Sequence, residues 1–193
     1  MILNDSKIIG TGPDFFGLSA YGEHAILTVN NLTMNAKGKN SKTVEVDKDA
    51  QVNIQNGSVI TTEGAFSPAI QLTQKGRLNV SDSAIKTLGK NSATFYVAPG
   101  NSEQKSVAEM TGGSLEASGD LILSQGGTMD VVLNQVSVSS PGSGYLLNVL
   151  NSNSGQTGEV NLVLNDIKEP GVELEKKQTL RGIFLLLKAV RLT

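Results

Sequence analysis

The sequence has no cysteine, no tryptophan and a single histidine, and it holds only five prolines and eight Phe or Tyr residues in 193. Without thiols there is no disulfide scaffold, no thiolate nucleophile, and no Cys-ligated zinc or iron–sulfur centre. The redox compartment stays open, because a chain without thiols is indifferent to it. One imidazole, His24, excludes a His-rich metal site. So few rings leave Val, Leu, Ile and Ala to fill the core. A formal charge of −2 sets up no field that would gather nucleic acid. Long apolar runs are missing as well. The strongest stretch, at 183–187, is far shorter than the ~20 residues of a membrane span. The first twelve residues lack the basic-then-apolar layout of an export signal.

What is abundant is Gly, at 21 residues, together with Ser, Thr and Asn. That mixture suits short strands and turns better than helices. Six tracts share one internal pattern. Leu27, Val29 and Leu32 read apolar, any, apolar, two polar, apolar, and so do Val131, Leu133, Val136 and Leu162, Leu164, Ile167. Val52, Ile54, Val59, then Leu78, Val80, Ile85, and Ala108, Met110, Leu115 read the same with two extra residues in the corner. A Gly follows each tract: Gly38, Gly64, Gly89, Gly119, Gly142 and Gly171. The tracts begin at 27, 52, 78, 108, 131 and 162, in steps of 25, 26, 30, 23 and 31.

A second class of short strand lies between them, as in Thr43 to Val46, Ala69 to Leu72, Thr94 to Val97, Leu121 to Leu123 and Tyr145 to Val149. No helical periodicity precedes position 176, so crossover helices and a doubly wound sheet are excluded. A propeller blade needs roughly 40–45 residues, more than these units have. Units of strands and corners alone bury their apolar faces only by stacking on one another. The expected fold is therefore all-β: a parallel β-helix, or β-solenoid, of about six coils over residues 1–175, with a non-repeat tail at 176–193. That tail is read either as a cap over the last coil or as sequence after a frame change. Stacking predicts two inward columns, Leu27/Val52/Leu78/Ala108/Val131/Leu162 and Val29/Ile54/Val80/Met110/Leu133/Leu164. It also predicts a polar corner ladder of Asn30, Gln55, Ser81, Thr111, Asn134 and Asn165, where amides and hydroxyls satisfy one another. Asn tolerates the left-handed backbone that such corners use.

The run Thr11-Gly-Pro-Asp-Phe-Phe16-Gly-Leu18, leading into Ile26-Leu-Thr-Val-Asn-Asn-Leu-Thr-Met34, resembles a repeat of pertactin-like autotransporter passengers. So does Asn56-Gly-Ser-Val-Ile-Thr-Thr-Glu-Gly64 with the residues up to Leu72. The resemblance covers about 7–172 and implies a right-handed, single-stranded β-helix displayed at the outer membrane or secreted by Gram-negative bacteria. Adhesion to a host surface protein or glycan is the commonest role it implies. The family also carries an export signal and a β-barrel translocator, which this chain lacks, so it reads as a fragment of a longer passenger.

Catalytic groupings are weak beside this. A triad would need His24, expected at an exposed corner. The Gly142-Ser-Gly144 motif precedes a strand, whereas a nucleophile elbow joins strand to helix. Gly112-Gly113 and Gly126-Gly127 also precede strands and read as turns rather than phosphate cradles. Glu45, Asp47 and Asp49 with Lys48 form the densest acidic group, but the next coil offers Gln71 and Thr73 in place of further carboxylates. Asp82 and Asp166 fall at equivalent corners with coils between them. The expectation is a non-enzymatic structural or adhesive segment without cofactor, metal or nucleic-acid partner. A carbohydrate-active β-helix enzyme and a degenerate fragment are the alternatives. Phe15, Phe16, Tyr21, Phe66, Phe95, Tyr96 and Tyr145 are expected to stack inside the solenoid, an outward binding stripe being the other reading.

Overall fold

A computed structural model of the chain describes residues 1–99, 104–139, 144–153 and 155–167. Its elements are strands, and they come in threes. The first turn holds β1 (Ile2–Asn4), β2 (Lys7–Gly10) and β3 (Phe16–Tyr21). The second holds β4 (Ile26–Asn30), β5 (Thr33–Ala36) and β6 (Lys42–Asp47); the third β7 (Gln51–Gln55), β8 (Val59–Thr62) and β9 (Ile70–Leu72). Next come β10 (Arg77–Ser81), β11 (Ala84–Thr87) and β12 (Phe95–Val97), then β13 (Ser106–Thr111), β14 (Ser114–Ala117) and β15 (Ile122–Gln125). The sixth turn holds β16 (Thr128–Asn134), β17 (Ser137–Ser139) and β18 (Leu147–Leu150), and β19 (Glu159–Asn165) opens a seventh.

Every strand pairs in parallel with its equivalent one turn away. The result is three sheets, β1-β4-β7-β10-β13-β16-β19, β2-β5-β8-β11-β14-β17 and β3-β6-β9-β12-β15-β18. This is a parallel β-helix. Its first turn was not legible as a tract, because β1 contributes one inward residue, Leu3, beside Val29.

The register follows from apolar residues at alternate positions. Leu27 pairs with Val52, Val52 with Leu78, Leu78 with Ala108, Ala108 with Val131 and Val131 with Leu162. The column from Val29 to Leu164 stacks equally in register. On the second sheet Ile8, Met34, Ile60, Ile85, Leu115 and Val138 lie over one another. On the third, Leu18, Val44, Ile70, Phe95, Ile122 and Leu147 do the same. These columns form one continuous core. A slip of one residue in any strand would turn its apolar set to water, so each turn fixes the next. The uneven repeat length is absorbed at two connections: between the second sheet and the third, where four residues join β14 to β15 but seven join β11 to β12, and between the third sheet and the first. Two residues join β15 to β16, while eight separate β18 from β19.

Two corners differ from the sequence reading. Leu32 and Val136 were equated with Val59, Ile85 and Leu115, which implied two extra residues in three of the tracts. In the structure Leu32 and Val136 fill the corner itself, fully buried, and the corresponding places are Ser58, Ser83 and Gly113. Among the described residues, only the third turn has an extra residue there, Gly57. The interior of the corner accepts either an aliphatic side chain or a Ser that bonds its own loop. Ser58 Oγ donates to the Gln55 carbonyl at 2.7 Å and Ser83 Oγ to the Ser81 carbonyl at 2.8 Å. The left-handed residue is also one place later than expected. It falls on Asp5, Asn31, Asn56, Asp82, Gln135 and Asp166, with φ between 45° and 58°, and on Gly112.

The next corner, between the second and third sheets, is built on glycine and serine. A Cβ added to Gly38 would collide with the Gly12 carbonyl, one on Gly64 with that of Gly38, and one on Gly89 with that of Gly64. Backbones thus pass in direct contact where a side chain cannot fit. Ser41, Ser67 and Ser92 stack beside them, all buried. The Ser41 N–H donates to Ser67 Oγ and the Ser67 N–H to Ser92 Oγ, each at 2.9 Å. Ser67 and Ser92 in turn donate to the carbonyls of Gly38 and Gly64. Gly142, Gly171 and the tail at 176–193 lie outside the described residues.

Candidate functional site: the polar face of the first sheet

Residues that alternate with the two apolar columns of the first sheet point outward and stack in two rows. Thr28, Asn53, Asn79, Glu109, Val132 and Val163 form one row. Asn53 Nδ2 donates to Thr28 Oγ1 at 3.2 Å, and Asn79 Nδ2 to Asn53 Oδ1 at 3.0 Å. The second row is the corner ladder. Asn30 pairs with Asn4 below and Gln55 above, while Ser81, Thr111, Asn134 and Asn165 continue it in register. Amide bonds run Gln55 Nε2 to Asn30 Oδ1 (2.9 Å) and Asn30 Nδ2 to Asn4 Oδ1 (2.7 Å). Higher up, Asn165 Nδ2 donates to Asn134 Oδ1 at 2.7 Å.

Ser81 interrupts this ladder, because its hydroxymethyl group is too short to reach the amide of Gln55. Beside it lies a shallow depression of about 250 Å³ lined by Asn53, Gln55, Asn79, Ser81, Glu109 and Thr111. Its walls offer amide and hydroxyl groups and one exposed carboxylate, Glu109. Such a surface can exchange hydrogen bonds with a polyhydroxylated or peptidic ligand.

The other candidates are dispersed. His24 is exposed, in a left-handed corner at φ 67°. Each member of the acidic group has its own local partner. Glu45 meets Lys42 at 2.6 Å and accepts a bond from Gln71 Nε2, Asp47 Oδ1 accepts the Lys48 N–H, and Asp49 faces Lys75 at 3.9 Å. Gly112-Gly113 and Gly126-Gly127 connect strand to strand. Ser143 lies outside the described residues. Among the described residues, no three His, Asp or Glu side chains converge as around a metal ion, and no helix is long and apolar enough to cross a membrane.

The aromatics depart from the stacking expectation. Phe95 is buried and Phe15 packs against the core, and Tyr96 is partly buried, its hydroxyl donating to Gln125 Oε1 at 3.1 Å. Phe16, Tyr21, Phe66 and Tyr145, however, are each more than half exposed. Ring spacing in sequence does not reveal parity where a corner intervenes. Phe66 stands in a corner, Tyr21 alternates with the inward Leu18 and Ala20, and Phe16 is exposed at the first position of β3 although it shares the parity of Leu18. Three of these rings carry a lysine from an adjacent turn: Lys42 over Phe16 at 5.2 Å, Lys48 over Tyr21 at 4.8 Å and Lys39 over Phe66 at 5.6 Å. The bond with the Tyr21 hydroxyl holds the Lys48 ammonium above its ordinary pKa.

No family model matches the chain, and neither a curated protein nor a solved structure matches it significantly.

Proposed function

We propose that the chain is a segment of a non-enzymatic, surface-displayed structural or adhesive protein of the autotransporter-passenger kind. One observation supports this reading above the rest: the corner ladder of the first sheet sets a polar side chain outward at each described turn from Asn4 to Asn165, spaced by ~4.8 Å. A surface of that sort binds weakly through each turn and gains strength when several turns engage one extended ligand. The bonds between successive amides hold the side chains in place before a ligand arrives, which reduces the ordering cost of binding.

Binding of the purified chain to cells and extracellular matrix tests it. A variant with Thr28, Asn30, Asn53, Gln55 and Asn79 all changed to Ser keeps the inward columns and loses the amide face. It is expected to bind at least 10-fold more weakly than the parent; equal binding contradicts the proposal. The carbohydrate-active alternative draws on the same depression, which supplies the single carboxylate Glu109 where glycoside hydrolysis ordinarily uses two. Release of reducing ends from polysaccharides would favour that alternative.

A further inference from the structure

Phe66 is out of place by every local rule. It occupies the left-handed position of its corner, at φ 56°, where neighbouring turns carry Asp14, Asn40 and Asn91. Short polar residues visit that conformation readily, whereas for a bulky ring it is strained. Nor does burial explain it, since the side chain is 53% exposed. Strain at an exposed aromatic points to a use outside the fold.

Its surroundings suggest which use. Lys39, Ala65 and Lys90 hold one position in three successive turns, their carbonyls accepting the N–H groups of Asp14, Asn40 and Phe66. The two lysines therefore flank the ring from turns spaced about 9–10 Å apart. Lys37 and the exposed Leu88 lie on the same corner. Of the nearby acids, Glu63 is bonded to Asn35 Nδ2 at 2.6 Å, and Asp14 lies two turns below Phe66. The N–H groups of Asp14, Asn40 and Phe66 are already taken by the next turn, so the stacked turns present side chains rather than a free strand edge here. This ridge offers an exposed apolar ring with the Lys39 ammonium 5.6 Å from its centroid and Lys90 on the turn above.

We propose that this corner binds an acidic oligosaccharide, one sugar ring lying on Phe66 and its acid groups meeting Lys39 and Lys90. The proposal rests on the surface-binding reading and names a ligand class for it on a different face. A net charge of −2 gives no long-range pull on a polyanion, so attraction is short-ranged and the ring contact is essential. Charge density alone is therefore insufficient.

The test uses the full chain, with oligogalacturonate and sulfated dextran as probes and neutral dextran and polyglutamate as controls. One or both acidic saccharides are expected to bind, and which of them does so identifies the acid group. Lys39→Gln with Lys90→Gln should weaken binding at least 10-fold. Phe66→Asn should weaken it similarly while raising Tm, because Asn is the residue that adjoining turns use there. Polyglutamate binding as tight as either saccharide, no binding to either, undiminished affinity in Phe66→Asn, or a lowered Tm in that variant would each overturn the proposal. Saccharide affinity undiminished in Phe66→Asn, with cell adhesion intact, removes the ridge and leaves surface display standing. A chain that binds the saccharide but no cell or matrix does the reverse.

Discussion

Single atoms decide whether neighbouring turns can touch. Gly64 has no room for a methyl group above the Gly38 carbonyl, whereas a Cβ on Gly12, at the bottom of the same stack, meets nothing within 4 Å. Gly64→Ala is expected to lower stability by about 3 kcal/mol or more through forced separation of two backbones. Gly12→Ala should change it by less than about 1 kcal/mol. Denaturant midpoints of the two variants check the contrast. Thr43 gives the opposite case. It is fully buried and its hydroxyl has no hydrogen-bond partner. Thr43→Val, which keeps the shape and removes the unsatisfied group, should stabilise by about 1 kcal/mol. A lower midpoint in that variant would show the hydroxyl to be satisfied.

At the level of strands, the apolar alternation of the first sheet was readable residue by residue, because both of its inward columns consist of Leu, Val, Ile, Met and Ala at fixed spacing. The corners were harder to read for a physical reason. A buried corner place is filled equally well by Leu32, by Ser58 with its own backbone bond, or by Gly113, so hydropathy does not mark it. Ring orientation was likewise hidden, since Phe66 stands in a left-handed slot that sequence pattern assigns to Asn or Asp. The corner ladder of Asn30, Gln55, Ser81, Thr111, Asn134 and Asn165 was legible as a row, but its gap at Ser81 and the depression there needed coordinates. Parity gives this scale its own test. Leu78 points inward and is fully buried, while Asn79 points outward. Leu78→Ala should cost about 2–5 kcal/mol and Asn79→Ala about 1 kcal/mol or less, measured by equilibrium unfolding.

Across the whole molecule, each turn contacts chiefly the turns above and below, so stability is close to a sum of turn and interface contributions. The central claim is that turns far apart in sequence are stacked at one fixed rise. Because the chain has no cysteine, two introduced thiols can be spin-labelled without background. Thr28, Val132 and Val163 stand in one outward row, four and five pairings apart. Pulsed electron–electron distances from a label at 28 to labels at 132 and 163 are the most direct measurement. Stacked parallel turns predict backbone separations of about 19 and 24 Å, hence an increase of about 5 Å for the last 31 residues. Equal distances, or a decrease between the two pairs, would contradict the stacked β-helix.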